Sequence, residues 1–305
     1  MLVNEVRLTV CRHLAGLKSL LSAVATGQSP LLQISPPVSV GHRASFWNFA
    51  RADYQSAYIN RTPTLLDTED LNMWRSCGLE LGDDGSLYAS PKDVSKDPGL
   101  HRPTVELVAH TLLFIVLRLV NFYATSAESS AHDVRQHQWD MLTRQLEAWH
   151  GTLPETFQPC AQIKHPIRIK GQSTAGIHLM ELFFSIDVCA ASVQLYHFAR
   201  IVLLLNKPVD HNVAAGSRLT AYREVSNEAI KHAHEICGIA LGRPAPAVRV
   251  EMLLPLFLAG SCLENGDERI VVVELLRAIE SDTGCSTAAR VQDLMTEWGW
   301  PTTVS

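Results

Sequence analysis

Apolar residues recur at three- and four-residue intervals through almost every long segment of this chain, while short alternating runs bounded by turn residues are nearly absent. That period is the one at which side chains return to the same face of an α-helix, so the fold class expected is all-α, an irregular multi-helix bundle. With 305 residues, 47% of them hydrophobic and 19% charged, the chain has ample apolar material for a buried core. No long Ser/Gly/Pro linker divides it, and the expectation is a single helical domain over 1–305.

Turn residues set the helix limits. A first helix is predicted from about Glu5 to Ala25, ended by Gly27 and Pro30, and a second from about Arg43 to Asn60, stopped at Thr62-Pro63. Asp67 is expected to cap a short helix carrying Leu71 and Trp74. Residues 78–103, rich in Asp, Gly, Ser, Lys and Pro, read as an exposed loop. From Thr104 to Ala124 apolar residues fall on all faces, the pattern of a helix buried among others, whereas Trp139, Leu142, Leu146 and Trp149 mark a one-sided helix. Helices are also predicted at Ile177 to Phe184, Asp187 to Asn206, Ser217 to Leu241, Ala247 to Glu264, Asp267 to Thr283 and Ser286 to Trp298, with Gly242, Gly266 and Gly284 at their ends.

Composition excludes several function classes. A net charge of −5 with scattered Lys and Arg is the opposite of a surface that tracks phosphates, so direct nucleic-acid binding is not expected. The apolar stretch Val105 to Ala124 contains Glu106, His110 and Arg118 and reads as a core helix rather than a membrane span. Met1 to Arg12 lacks the continuous apolar region of a signal peptide, which points to cytoplasm or nucleus. The seven cysteines stand far apart with no C-x-x-C pair, and no metal site is expected. Phosphate-loop, dinucleotide, serine-hydrolase and zinc-protease patterns are missing as well, so no cofactor is expected.

What remains for chemistry is polar groups on otherwise apolar helices. His110, Phe114 and Asn121 fall close to one line, because eleven residues at about 100° each return near the starting direction; Arg118 lies further round. A guanidinium keeps its charge when buried and must find a carboxylate, carbonyls, water or a ligand anion. A second stripe carries Gln194, His197 and Arg200 with Tyr196 beside it, where an imidazole suited to proton transfer adjoins a phenol. Trp47 and Arg51 complete the ligand-binding candidates. Each of these has a plain alternative in core packing or helix-helix bonding. His232 and His234 lack the spacing of a helical metal pair, and Asp267-Glu268-Arg269 reads as a solvated first turn.

Several blocks, taken in order from about Leu14 to Trp300, resemble the regulatory, or middle homology, region of fungal zinc binuclear-cluster transcription factors. They are Phe46 to Asp53, Trp139 to Pro154, Gln194 to Pro208, Pro255 to Gly260, Ile279 to Gly284, Arg290-Val291 and Glu297 to Trp300. The compact cysteine cluster of that family and its basic linker have no counterpart here, and the resemblance starts partway into the regulatory region, at Cys11 to Gly16. The resemblance implies a helical domain that binds a hydrophobic small molecule in a specialised-metabolism setting and influences transcription through others. An alternative stays open: a cofactor-free intramolecular cyclase or isomerase, for example of Diels-Alder type, with Tyr196, His197 and His110 as candidate catalytic groups, since shape and one or two hydrogen bonds can lower such a barrier. An apolar patch left by the missing family helices is compatible with a homodimer.

Overall fold

A computed structural model of the chain describes residues 40–83, 85, 87, 101–125, 132–165, 179–208 and 215–301. The predicted helix at Glu5 to Ala25 lies outside them. The described residues are dominated by helices, as expected, with one two-stranded sheet. The chain divides into two compact units, Met1–Thr152 and Leu153–Ser305.

In the first unit, α1 (Val40–Asn60) buries Phe46, Trp47, Phe49, Ala50, Asp53, Tyr54 and Ala57, a stripe at helical spacing. It ends where Arg61 turns left-handed at φ 52° and the Thr62 amide reaches back to the Ala57 carbonyl. The buried Asp53 carboxylate accepts from the amides of Leu65 (2.9 Å) and Leu66 (2.8 Å), fixing the chain after the helix. The short α2 (Leu71–Ser76) is capped by Asp70, which accepts from the Met73 amide, and not by Asp67 as expected; Asp67 instead accepts from the Glu69 amide in the preceding turn. Its Trp74 is fully buried and donates to the Asp67 carbonyl.

The stretch expected as an exposed loop opens differently. Leu79 and Leu81 are buried, Leu81 pairs with Leu87, and Arg75 donates to the carbonyls of Leu81 and Gly82. Two leucines there supply burial that a polar composition hides. Then α3 (His101–Ala124) runs through the unit with Leu112 to Leu117 all buried, and α4 (His132–Gly151) packs on it with Arg135, Leu142, Leu146 and Trp149 inward. Trp149 donates to the Val108 carbonyl at 2.9 Å. Arg135 lies over the Phe122 ring at 4.1 Å and donates to the carbonyls of Phe122 and Thr125, so a cation closes the negative end of α3.

The second unit begins with a hairpin where the sequence predicts a loop and then a helix. β1 (Ala161–His165) pairs antiparallel with β2 (Leu179–Phe183), with Ile163 opposite Glu181. The short apolar run LMELF is a strand because α6 (Ala215–Leu241) offers it a groove. A Cβ on Gly238 would stand 2.3 Å from the Met180 carbonyl oxygen, and one on Gly242 2.0 Å from that of Leu182. Two glycines four residues apart thus let strand backbone lie on helix backbone. α5 (Asp187–Leu205) packs along α6. The helix predicted at Ala247 to Glu264 is broken into α7 (Pro246–Arg249), a single 3-10 turn and α8 (Leu253–Cys262). α9 (Gly266–Thr283) is capped by Asn265 and ends on Gly284 at φ 73°, and α10 (Ala288–Glu297) follows. Between them, Glu280 accepts from both the amide and the hydroxyl of Thr287.

Two helices, Val105–Ala124 and Asp187–Leu205, are long and apolar enough to cross a membrane, yet 67% of each window is buried within the protein. Their apolar faces are spent on the core.

Candidate functional site

The sequence candidates fall in both units, and the structure brings only some of them together. In the first unit, Trp47 and His110 stack face to face, ring centroids 3.9 Å apart and 4° from parallel, while the indole N–H donates to the Cys77 carbonyl. Phe46, Trp74 and Phe114 continue the cluster, with Trp74 4.9 Å from Phe114. Burial, with a smaller contribution from the nearby Arg51 charge, pushes the His110 pKa down to about 3. Such an imidazole is neutral at physiological pH and a weak base. Arg51 itself donates to Asn48 at 3.2 Å.

Asn121 is used by the fold. Its carbonyl oxygen accepts from the Thr64 amide at 2.8 Å and its amide donates to the Thr68 hydroxyl at 3.3 Å. Arg118 is different. Its guanidinium lies 5.8 Å from the Phe114 ring centroid and its Nη2 is 3.8 Å from the Met141 sulfur, with no carboxylate in salt-bridge range among the described residues. Among the described residues, the ion pair weighed for it from sequence is not formed.

In the second unit, α5 and α6 carry the other stripe. Gln194, almost fully buried, donates to the Ile236 carbonyl at 2.9 Å. Next to it, His197 Nδ1 faces His232 Nδ1 at 2.8 Å, and the Tyr196 ring stands edge-on to both imidazoles, 5.2 and 6.3 Å away. One Nδ1 must carry the proton and the other accept it, so the pair holds this bond only while at least one ring is neutral. Glu228, one turn before His232, has its carboxyl held below the usual range by the Lys231 ammonium, with His232 and Arg200 adding.

Sequence reasoning singled out His197 but missed His232 as its partner. The two are 35 residues apart, and only the pairing of α5 with α6 joins them. His234 also has a partner: its Nε2 lies 3.0 Å from a Glu268 oxygen, and Glu268 is buried rather than part of a solvated first turn. Arg249, 2% exposed, forms an ion pair with Asp282 that no local pattern signals.

Thiols are no more reactive than the helices around them suggest. Burial pushes Cys189 and Cys237 up to about 12 and Cys262 up to about 11, and Cys160 is exposed. Among the described residues no group of three His, Cys, Asp or Glu side chains could hold a metal ion.

The residues that close these cores include the blocks that carried the resemblance: Trp149 on Val108, Gln194 on Ile236, Glu280 on Thr287 and Trp298 on the Gly260 carbonyl. Comparison with known proteins agrees with them. The profile of the family described as "Fungal specific transcription factor domain" matches residues 110–298. The chain is 36% identical over 289 residues to the transcription activator AMTR1 of Alternaria alternata, an alignment that covers 88% of this chain and 37% of that protein, so the chain spans little more than a third of its relative's length. No solved structure matches it. With the family profile covering more than half of the chain and the residue blocks placed at the packing points of both units, the chain belongs to the fungal specific transcription factor domain family.

Proposed function

We propose that this chain is the regulatory region of a fungal transcription activator: a helical domain that binds a hydrophobic small molecule of specialised metabolism and passes that state to transcription. The observation that carries this reading is the 36% identity to a transcription activator along nearly the whole chain. Composition supports the division of labour. A net charge of −5 with no closely spaced cysteines favours leaving recognition of DNA to another module or partner, with the chain acting in cytoplasm or nucleus. The half-buried Arg118 on an apolar helix, with no carboxylate in salt-bridge range among the described residues, supports the ligand part.

The test is a fusion of the chain to an unrelated DNA-binding module, assayed on a reporter in a fungal host with and without lipophilic extracts of the producing culture. Reporter output that changes with the fusion and shifts severalfold with extract is the expected result. A fusion that leaves the reporter at the level of the DNA-binding module alone, in every extract, sinks the proposal.

A further inference from the structure

The geometry points to a ligand-binding position between α3 and α4 that takes an apolar molecule ending in a carboxylate beside an N–H or O–H donor. It rests on the small-molecule reading above and names the chemistry of the ligand's polar end.

Arg118 is a half-buried cation on the most apolar helix of the first unit, and its described contacts are an aromatic face and a thioether. Neither supplies an oxygen acceptor to the planar N–H fork that a guanidinium presents. The nearest acid in sequence to Met141 is Asp140, which accepts from Gln136 at 3.0 Å. On the same face of α4 as Met141, one turn on, Gln145 carries a buried Oε1 with no hydrogen-bond partner. An unpaired buried acceptor costs about 1–3 kcal/mol, and native folds seldom leave one without a reason.

Two unmet groups of opposite need therefore flank Met141, with the Phe114 ring beside the Arg118 guanidinium. Among the described residues Arg118 has no carboxylate or other oxygen acceptor, and the Gln145 Oε1 has no donor. A carboxylate with a neighbouring N–H or O–H answers both, and an apolar body suits the partly exposed Met141 side chain between them. Arg118, Met141 and Gln145 are each partly exposed as residues, so the position is reachable from solvent.

The experiment uses the full chain with two probes, N-dodecanoylglycine and its methyl ester, titrated by calorimetry. The acid presents a carboxylate and an amide N–H; the ester keeps the tail and the N–H but not the charge. Expected is at least tenfold tighter binding of the acid. Arg118→Met removes that preference, and a far-ultraviolet circular dichroism spectrum and urea midpoint like the parent's show that the variant is folded; Arg118→Lys keeps only part of the preference. Gln145→Leu weakens both probes severalfold. Equal affinity for acid and ester in the native chain, or a preference that survives Arg118→Met, overturns the inference while leaving lipophilic binding intact. Binding of neither probe removes the inference and counts against the ligand reading on which it rests.

Discussion

Replacing Gly238 by alanine tests whether strand β2 lies on α6, because the two effects of the added methyl have opposite signs. In a helix interior, alanine is more favourable than glycine by about 0.8–1 kcal/mol. If nothing lay against that face, Gly238→Ala would stabilise the protein. Here the new Cβ would stand 2.3 Å from the Met180 carbonyl oxygen and 3.2 Å from the Leu182 side chain. Ordinary van der Waals contact starts at 3.4 Å, so strand and helix must part by about 1 Å (3.4 − 2.3). Backbone on both sides makes that movement expensive, and overpacking of a closed interface costs about 1–3 kcal/mol before the loosened contacts of buried Leu179 and Leu182 are included. The expected net effect is a loss of about 1–2 kcal/mol, and Gly242→Ala, at 2.0 Å from the Leu182 carbonyl oxygen, is expected to be at least as harmful. Gly216, on the same helix with nothing within 4 Å, supplies the control and should be neutral or slightly stabilised as alanine. Urea titrations followed by far-ultraviolet circular dichroism measure all three. A Gly238→Ala protein more stable than its parent would refute the strand-on-helix packing.

Asp53→Ala leaves two loop amides without their acceptor and is expected to cost about 3 kcal/mol, with Asp53→Asn milder; equal urea midpoints for the parent and Asp53→Ala would contradict the role given to this carboxylate. Because the folded pKa of His110 is lowered to about 3, the unfolded chain binds this proton more readily, so stability is present above about pH 6.5 and falls with acid by up to about 1.4 kcal/mol per pH unit down to about pH 3. His110→Phe keeps an aromatic ring against Trp47 and should flatten the acid limb between pH 6.5 and 5, and an unchanged slope rules the histidine out as its source. In native protein at pH 8, Cys160 should react with a thiol reagent well before Cys189 and Cys237; simultaneous labelling of all three would mean that the second unit opens readily.

Most of the fold is legible in the sequence because burial there follows the helical period. Phe46, Trp47, Phe49, Ala50, Asp53 and Tyr54 announce α1, and the Val105 to Ala124 run announces a helix covered on all sides. The hairpin is not legible, for a physical reason. LMELF has too few residues for a helical and an alternating pattern to diverge, and its two buried residues, Leu179 and Leu182, stand three apart, a helical rather than an alternating spacing. What decides its conformation is Gly238 and Gly242, more than fifty residues away, which read locally as a tolerated helix glycine and a helix end. The break at Val250–Met252 is hidden in the same way, since an apolar run of that length is compatible with one continuous helix. Leu79 and Leu81 are masked by the polar residues around them.

The candidate site shows a second limit. Sequence can find polar side chains on apolar helices, but whether each is a structural bond or an unmet need depends on the partner, which lies on another helix. Asn121 and Gln194 look alike in the sequence to Arg118, yet the first two are occupied, by Thr64 and Thr68 and by the Ile236 carbonyl. Subtracting such bonds leaves a shorter set. The neutral His110 against Trp47 belongs to packing, and the His197–His232 pair ties α5 to α6. Arg118 and Gln145 are left with complementary needs on facing helices, and neither need is met by a residue the sequence places nearby. A pair of that kind is where a ligand's own polar groups can contribute most, because each bond made there is one the protein does not already hold.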